Sequence, residues 1–177
     1  MTGNNKGMTM VELMVTLGVL GLLIALAIPN VMVWIDNNRL KGVARDLMSD
    51  LQRAKMEAAK RNVLCTVTFN QQVGGQNFDY LVYADADEDL EYDAGEDILH
   101  RVNFPNGVAF DTTQGGGDGL TFQDNDEGLP SIAFTPRGLP QDNAGGLGMG
   151  SGFFINNRNQ NRRVVVSSAG RIRIESY

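Results

Sequence analysis

The chain has one cysteine, Cys65, and one histidine, His100, among its 177 residues. A lone cysteine excludes an intrachain disulfide. No Cys/His cluster is present at the spacing a zinc site needs. A Ser-His-Asp or Cys-His site would have to use His100. That residue sits in Ile98-Leu99-His100-Arg101-Val102, which reads as a surface strand with no glycine-rich nucleophile turn nearby. We therefore expect no enzyme and no required cofactor. Basic residues are also in deficit: 15 Lys and Arg face 21 Asp and Glu, for a net charge of −6. An acidic chain binds nucleic acid only through a local patch. Charge of either sign is absent between Glu12 and Asp36.

What fills that gap is an apolar run, Leu13 to Ile35. A helix needs about 20 apolar residues to cross a bilayer, so this run reads as a transmembrane segment. A single carboxylate, Glu12, stands at its start, where ionisable groups are costly and usually have a task. Residues 1–7 form a short leader ending in Gly7. A secretory signal has its small-residue cleavage site after the apolar region. Here the glycine precedes it, so cutting there would leave the hydrophobic helix on the mature chain.

Gly7-Met8-Thr9-Met10-Val11-Glu12-Leu13 resembles the signal of type IV pilins and type II secretion pseudopilins. Counted from Met8, Glu12 is the fifth residue, as in that family, and Pro29 matches a proline in the family's helix. Met8 stands where phenylalanine is usual. The resemblance implies a prepilin peptidase that cuts after Gly7 and N-methylates Met8. It also implies that Glu12 pairs with the N-terminal amine of a neighbouring subunit, setting register on entry to a filament. Such pairing removes most of the cost of a carboxylate in lipid. A plainer role for Glu12 is a carboxylate favoured by the helix dipole.

Past Pro29 the pattern becomes amphipathic. Leu40, Val43, Ala44, Leu47, Leu51, Ala54 and Ala58 recur at spacings of three and four, with Arg39, Lys41, Arg45, Asp50, Arg53 and Lys60 elsewhere. The expected helix covers residues 8–61, with Pro29 as a kink and Asn62 as its stop. From Val63 the period is two: Val63, Cys65, Val67 and Phe69 point one way, Thr66 and Thr68 the other. Short strands with glycine-rich turns follow, including Leu120–Gln123 and a hairpin at Ala169-Gly170. Gln114–Gly119 and Asp142–Gly150 read as mobile glycine-rich loops. The fold class expected is α+β: a long N-terminal helix packed on antiparallel sheet in a β-rich head, residues 62–177.

Phe134-Thr135-Pro136-Arg137-Gly138, then Arg163-Val164-Val165-Val166-Ser167 and Gly170-Arg171-Ile172-Arg173, resemble the GspH/FimT family of pseudopilins and minor pilins. The resemblance implies a tip or initiation subunit of a type II secretion pseudopilus or type IV pilus. Its partners would be other pilin subunits and the prepilin peptidase. The subunit would be held in the inner membrane with its head in the periplasm before assembly. Lys6 precedes the span and Arg39, Lys41 and Arg45 follow it, so positive-inside counting alone leaves the orientation ambiguous or reversed. The cleavable leader, which must meet a cytoplasmic peptidase, decides for the family's.

Two clusters in the head carry alternative functions. Asp85, Asp87, Asp89, Asp93 and Glu96 occupy the first, third, fifth, ninth and twelfth positions of an EF-hand-like loop, which makes calcium a candidate ligand. Leu90 holds the sixth position, where glycine allows the sharp turn. Acidic runs are more often solvated connections. Arg163, Arg171 and Arg173 could share one face of a terminal hairpin and bind phosphates. Gly170-Arg171-Ile172-Arg173 also resembles the GRxR motif of minor pilins that bind DNA in natural transformation. The other roles for these arginines are balancing acidic surface or contacting neighbouring subunits. A further alternative is an ordinary single-span membrane protein whose β-head binds calcium or another ligand.

Overall fold

The structure, a computed structural model, describes residues 7–177. Of the expected leader only Gly7 falls among them. One helix, α1, runs Met10–Arg61. It begins two residues later than expected because Thr9 caps it: its Oγ1 accepts the Glu12 N–H at 3.2 Å. That is the first half of an S/T-x-x-E capping box. The helix ends where expected. Asn62 adopts φ 56°, the left-handed conformation that closes many helices and that asparagine tolerates. The helix continues through Pro29.

The chain divides into two compact units after Ile35. In the first, the span has no buried residue and a mean hydropathy of 2.5 over its most apolar window. Leu13, Leu17, Leu20, Leu23, Leu26, Val31 and Trp34 are all exposed. Burying a Leu, Val, Ile or Met side chain is worth about 1.5–3 kcal/mol, so this surface forgoes tens of kcal/mol in water. Lipid or other helices must cover it.

The second unit, Asp36–Tyr177, holds the core. Leu40, Val43, Ala44, Leu47, Leu51, Ala54 and Ala58 are all buried, the face that the three-and-four spacing marks. They meet two antiparallel sheets. The first contains β1 (Leu64–Phe69), β4 (Tyr80–Asp85), β5 (Asp97–Val102), β7 (Ser131–Phe134) and β8 (Pro140–Gln141), in the order β5-β4-β1-β7-β8. The second contains β6 (Val108–Phe110), β9 (Gly150–Asn156), β10 (Asn161–Val166) and β11 (Ile172–Glu175), in the order β11-β10-β9-β6. A small hairpin joins β2 (Gln72–Val73) to β3 (Gln76–Asn77). Cys65, Val67 and Phe69 of the first sheet and Val108, Phe154, Val164 and Val166 of the second share one core with the helix.

Two elements depart from the pattern. Leu120–Gln123 is not a strand; Leu120 makes a single bridge to Gly152. The glycine-rich loops are closed by their own hydrogen bonds. Gly117 and Gly119 N–H groups donate to the Gln114 carbonyl, and Asp142 Oδ1 accepts from Ala144 and Gly146. Every residue of β1 is buried. Thr66 and Thr68 do face away from the helix, yet the acidic loop and Asn125 cover them, forming a polar layer on the sheet's outer side.

Candidate functional site

Gly7, Met8 and Glu12 are exposed. The Glu12 carboxylate forms no hydrogen bond or ion pair among the described residues. Its backbone N–H is the group held by Thr9, so the side chain is free to take a partner while the first helical turn stays closed. The S/T-x-x-E spacing makes the cap legible in sequence, although the same residues read first as a processing signal.

The acidic loop brings Asp85, Asp87 and Asp89 together, with one oxygen from each within 4.8 Å of the others. Asp93 and Glu96 stand outside that group. Asp85 is fully buried. Its oxygens accept from Thr66 Oγ1 at 2.8 Å, Leu90 N–H at 3.0 Å and Glu88 N–H at 2.7 Å. Burial pushes its pKa up against these bonds. The Glu96 oxygens accept the Ala86 and Asp93 N–H groups, and burial raises its pKa too. Leu90 makes the sharp turn at φ 64° without being glycine. A left-handed leucine costs about 1–2 kcal/mol. Its side chain is 1% exposed, and burying it returns about 1.5–3 kcal/mol. Leu90 is thus the apolar plug that seats the loop on β1.

At the other end of the chain, Arg163 and Arg173 converge on one carboxylate. Arg163 Nε donates to Glu175 Oε2 at 2.8 Å, and Arg173 pairs with Oε1 of the same group. These bonds hold Glu175 below the usual carboxylate range, Arg163 contributing most. Register explains the triplet: Arg163 lies opposite Glu175, and Arg173 is two residues before it on the same face. Arg171 precedes β11 and is exposed. The two glycine-containing motifs also meet each other. A Cβ on Gly170 would lie 2.9 Å from the Gly138 carbonyl oxygen, and one on Gly138 would lie 2.8 Å from Lys55 Cε. Lys55 Nζ donates to the Gly170 carbonyl at 3.2 Å. Both glycines have positive φ, so they serve a close approach of two turns over α1.

Sequence reasoning missed one buried polar site. Asp50, placed on the solvent side by its type, is buried. Its Oδ2 accepts from the fully buried Tyr80 hydroxyl at 2.8 Å and lies 2.8 Å from His100 Nδ1. His100 thereby links edge strand β5 to α1. The arrangement ties β4 and β5 to α1, and its geometry is that of a strut.

Residues 43–170 match the family described as Type II transport protein GspH. Residues 2–28 match the prokaryotic N-terminal methylation motif. The chain is 29% identical to the pilin-like protein PilA1 of Thermus thermophilus, over 96% of this chain and 98% of that one. Crystal structures of the type IV minor pilin FimU of Pseudomonas aeruginosa in two space groups are similar to it. They share 16% identity, with TM-scores of 0.46 and 0.43, over 80% and 77% of this chain and 92% of theirs. The family match spans most of the head, and the methylation motif falls on the same residues that carry the Gly7–Glu12 spacing. The chain belongs to the GspH family of type IV minor pilins and type II secretion pseudopilins.

Proposed function

We propose that this chain is a minor filament subunit that assembles through its N-terminal helix, as a tip or initiation component. A prepilin peptidase removes residues 1–7 and methylates Met8. The span waits in the inner membrane with the head in the periplasm, then exchanges lipid for sister helices. Glu12 pairs with a neighbour's terminal amine and rewards correct register. The observation that carries this reading is the charge-free, wholly exposed surface from Leu13 to Ile35, which begins one residue after a carboxylate that has no partner among the described residues. Neither head cluster is needed for it. Asp85 and Glu96 are engaged by the loop's own donors, and Glu175 engages two of the three arginines. Intact-mass analysis of the protein from its own cells tests the proposal. A chain starting at a methylated Met8 is expected. A chain that retains residues 1–7 rejects it and favours an ordinary single-span protein.

A further inference from the structure

The cations that follow the span stand out against positive-inside counting once the head is placed in the periplasm. Arg39, Lys41 and Arg45 lie within ten residues of Ile35 and are exposed. The fold adds to them from far along the chain. The β9–β10 turn is tied to the start of the head: Arg158 Nε donates to Asp36 at 2.8 Å, and Asn156 Nδ2 donates to Asn37 Oδ1 at 3.0 Å. This anchoring brings Arg162 beside Lys41 and Arg45, where the three cations and Ile174 line a concavity of about 300 Å³. Arg158 has Asp36 as its partner. Arg39, Lys41, Arg45 and Arg162 form no ion pair among the described residues. Arg39 and Arg162 donate instead to the carbonyls of Asn106 and Asn161. Asp46, the acid next to Arg45 on the helix, is exposed and forms no ion pair with it among the described residues. A chain of net charge −6 thus places four cations without ion-pair partners among the described residues at one end of its head.

We infer that this cluster, centred on Lys41, Arg45 and Arg162, docks the head on anionic phospholipid headgroups of the membrane that holds Leu13–Ile35. The inference rests on the filament-subunit reading only for placing that segment in a bilayer. Asp36 ends the charge-free run. At 1.5 Å per residue, Lys41 and Arg45 lie about 8 and 14 Å beyond it along the helix. The headgroup layer is about 5–8 Å deep, and surface potential extends a further 8 Å or so at physiological salt. Both side chains therefore reach the negative field, and the concavity offers a phosphodiester three converging donor groups. Docking would hold the head against the membrane before assembly and would be given up on extraction into a filament.

The test uses the full-length protein in neutral detergent, with phosphatidylglycerol or phosphatidylcholine added and intact complexes weighed by native mass spectrometry. Wild type is expected to retain phosphatidylglycerol in preference. The variant K41Q/R45Q/R162Q is expected to lose that preference, by about fivefold per charge and so on the order of a hundredfold. The charge-keeping variant K41R/R45K/R162K should retain it, which separates charge from misfolding. Equal retention of the two lipids by wild type, or unchanged retention by the glutamine variant, overturns the inference. So does inorganic phosphate displacing the lipid at equal concentration, which would mark a free-phosphate site. Duplex DNA displacing it would do the same in favour of nucleic acid. Failure of the chain to float with phosphatidylcholine vesicles overturns the membrane reading itself, and this inference with it.

Discussion

Replacing Asp50 with leucine should destabilise the head through one identifiable group, the Tyr80 hydroxyl. That hydroxyl is fully buried and donates to Asp50 Oδ2. Leucine cannot accept the bond, and leaving a buried donor unsatisfied costs about 1–3 kcal/mol. The His100 contact adds little, because that side chain is 45% exposed and exposed pairs are worth roughly 0–1 kcal/mol. We expect a loss of about 2 kcal/mol, or roughly 4–8 °C in Tm for a domain of this size. Tyr80→Phe alone should cost only about 1 kcal/mol, since Asp50 keeps its contact with His100. The double variant D50L/Y80F should lose less than the sum of the two, because no orphaned hydroxyl remains. Thermal and urea unfolding of the detergent-solubilised chain, followed by circular dichroism, would measure the cycle. Strict additivity of the two substitutions would refute the strut.

The remaining predictions concern other parts of the head. Gly170→Ala should destabilise by about 1–3 kcal/mol in urea titration, since it forces a side chain onto φ 73° and against the Gly138 carbonyl; an unchanged midpoint would contradict the close approach. Leu90→Ala should cost about 2–4 kcal/mol from the lost plug. Leu90→Gly should be no worse than alanine, because glycine relieves the left-handed strain. Asp111 is held below the usual carboxylate range chiefly by Thr113, with Tyr177 adding to it. A depressed folded pKa contributes stability above the unfolded value near 3.9 that is lost as pH falls through the folded one. Asp111→Asn should therefore flatten the acid limb of the stability curve, and an identical acid limb in the variant would show that the group is not linked to folding. Asp85, raised by burial, has the opposite sign, so Asp85→Asn should not reproduce that flattening.

Local pattern carried the fold where local contacts decide it. The buried stripe of α1, the Asn62 stop and the terminal hairpin follow from periodicity and turn chemistry, because each depends on residues a few positions apart. Asp50 escaped that logic. A carboxylate on a helix defaults to solvent, and its partners, Tyr80 and His100, lie 30 and 50 residues away. Thr66 and Thr68 alternated correctly, but the loop that buries them comes some twenty residues later. Leu90 departs from the expected glycine because the turn doubles as a hydrophobic anchor, a requirement that no spacing rule contains. Arg163 and Arg173 do share a face as the strand period requires; what spacing could not show is that Glu175 stands between them. The N-terminal site was the most legible, since its glycine, carboxylate and apolar run are contiguous. Thr9 was overlooked there because one short segment serves both as helix cap and as processing signal.

The central claim is that Leu13–Ile35 is a filament interface registered by Glu12. The most direct test compares sheared filaments from the protein's own cells carrying wild type or Glu12→Ala, with intact mass monitored in parallel. We predict that both chains are cut after Gly7, that wild type appears in the filament fraction, and that Glu12→Ala remains in the membrane. Equal incorporation of the two would contradict the role of Glu12, and absence of the processed wild type from any filament fraction would contradict the claim as a whole.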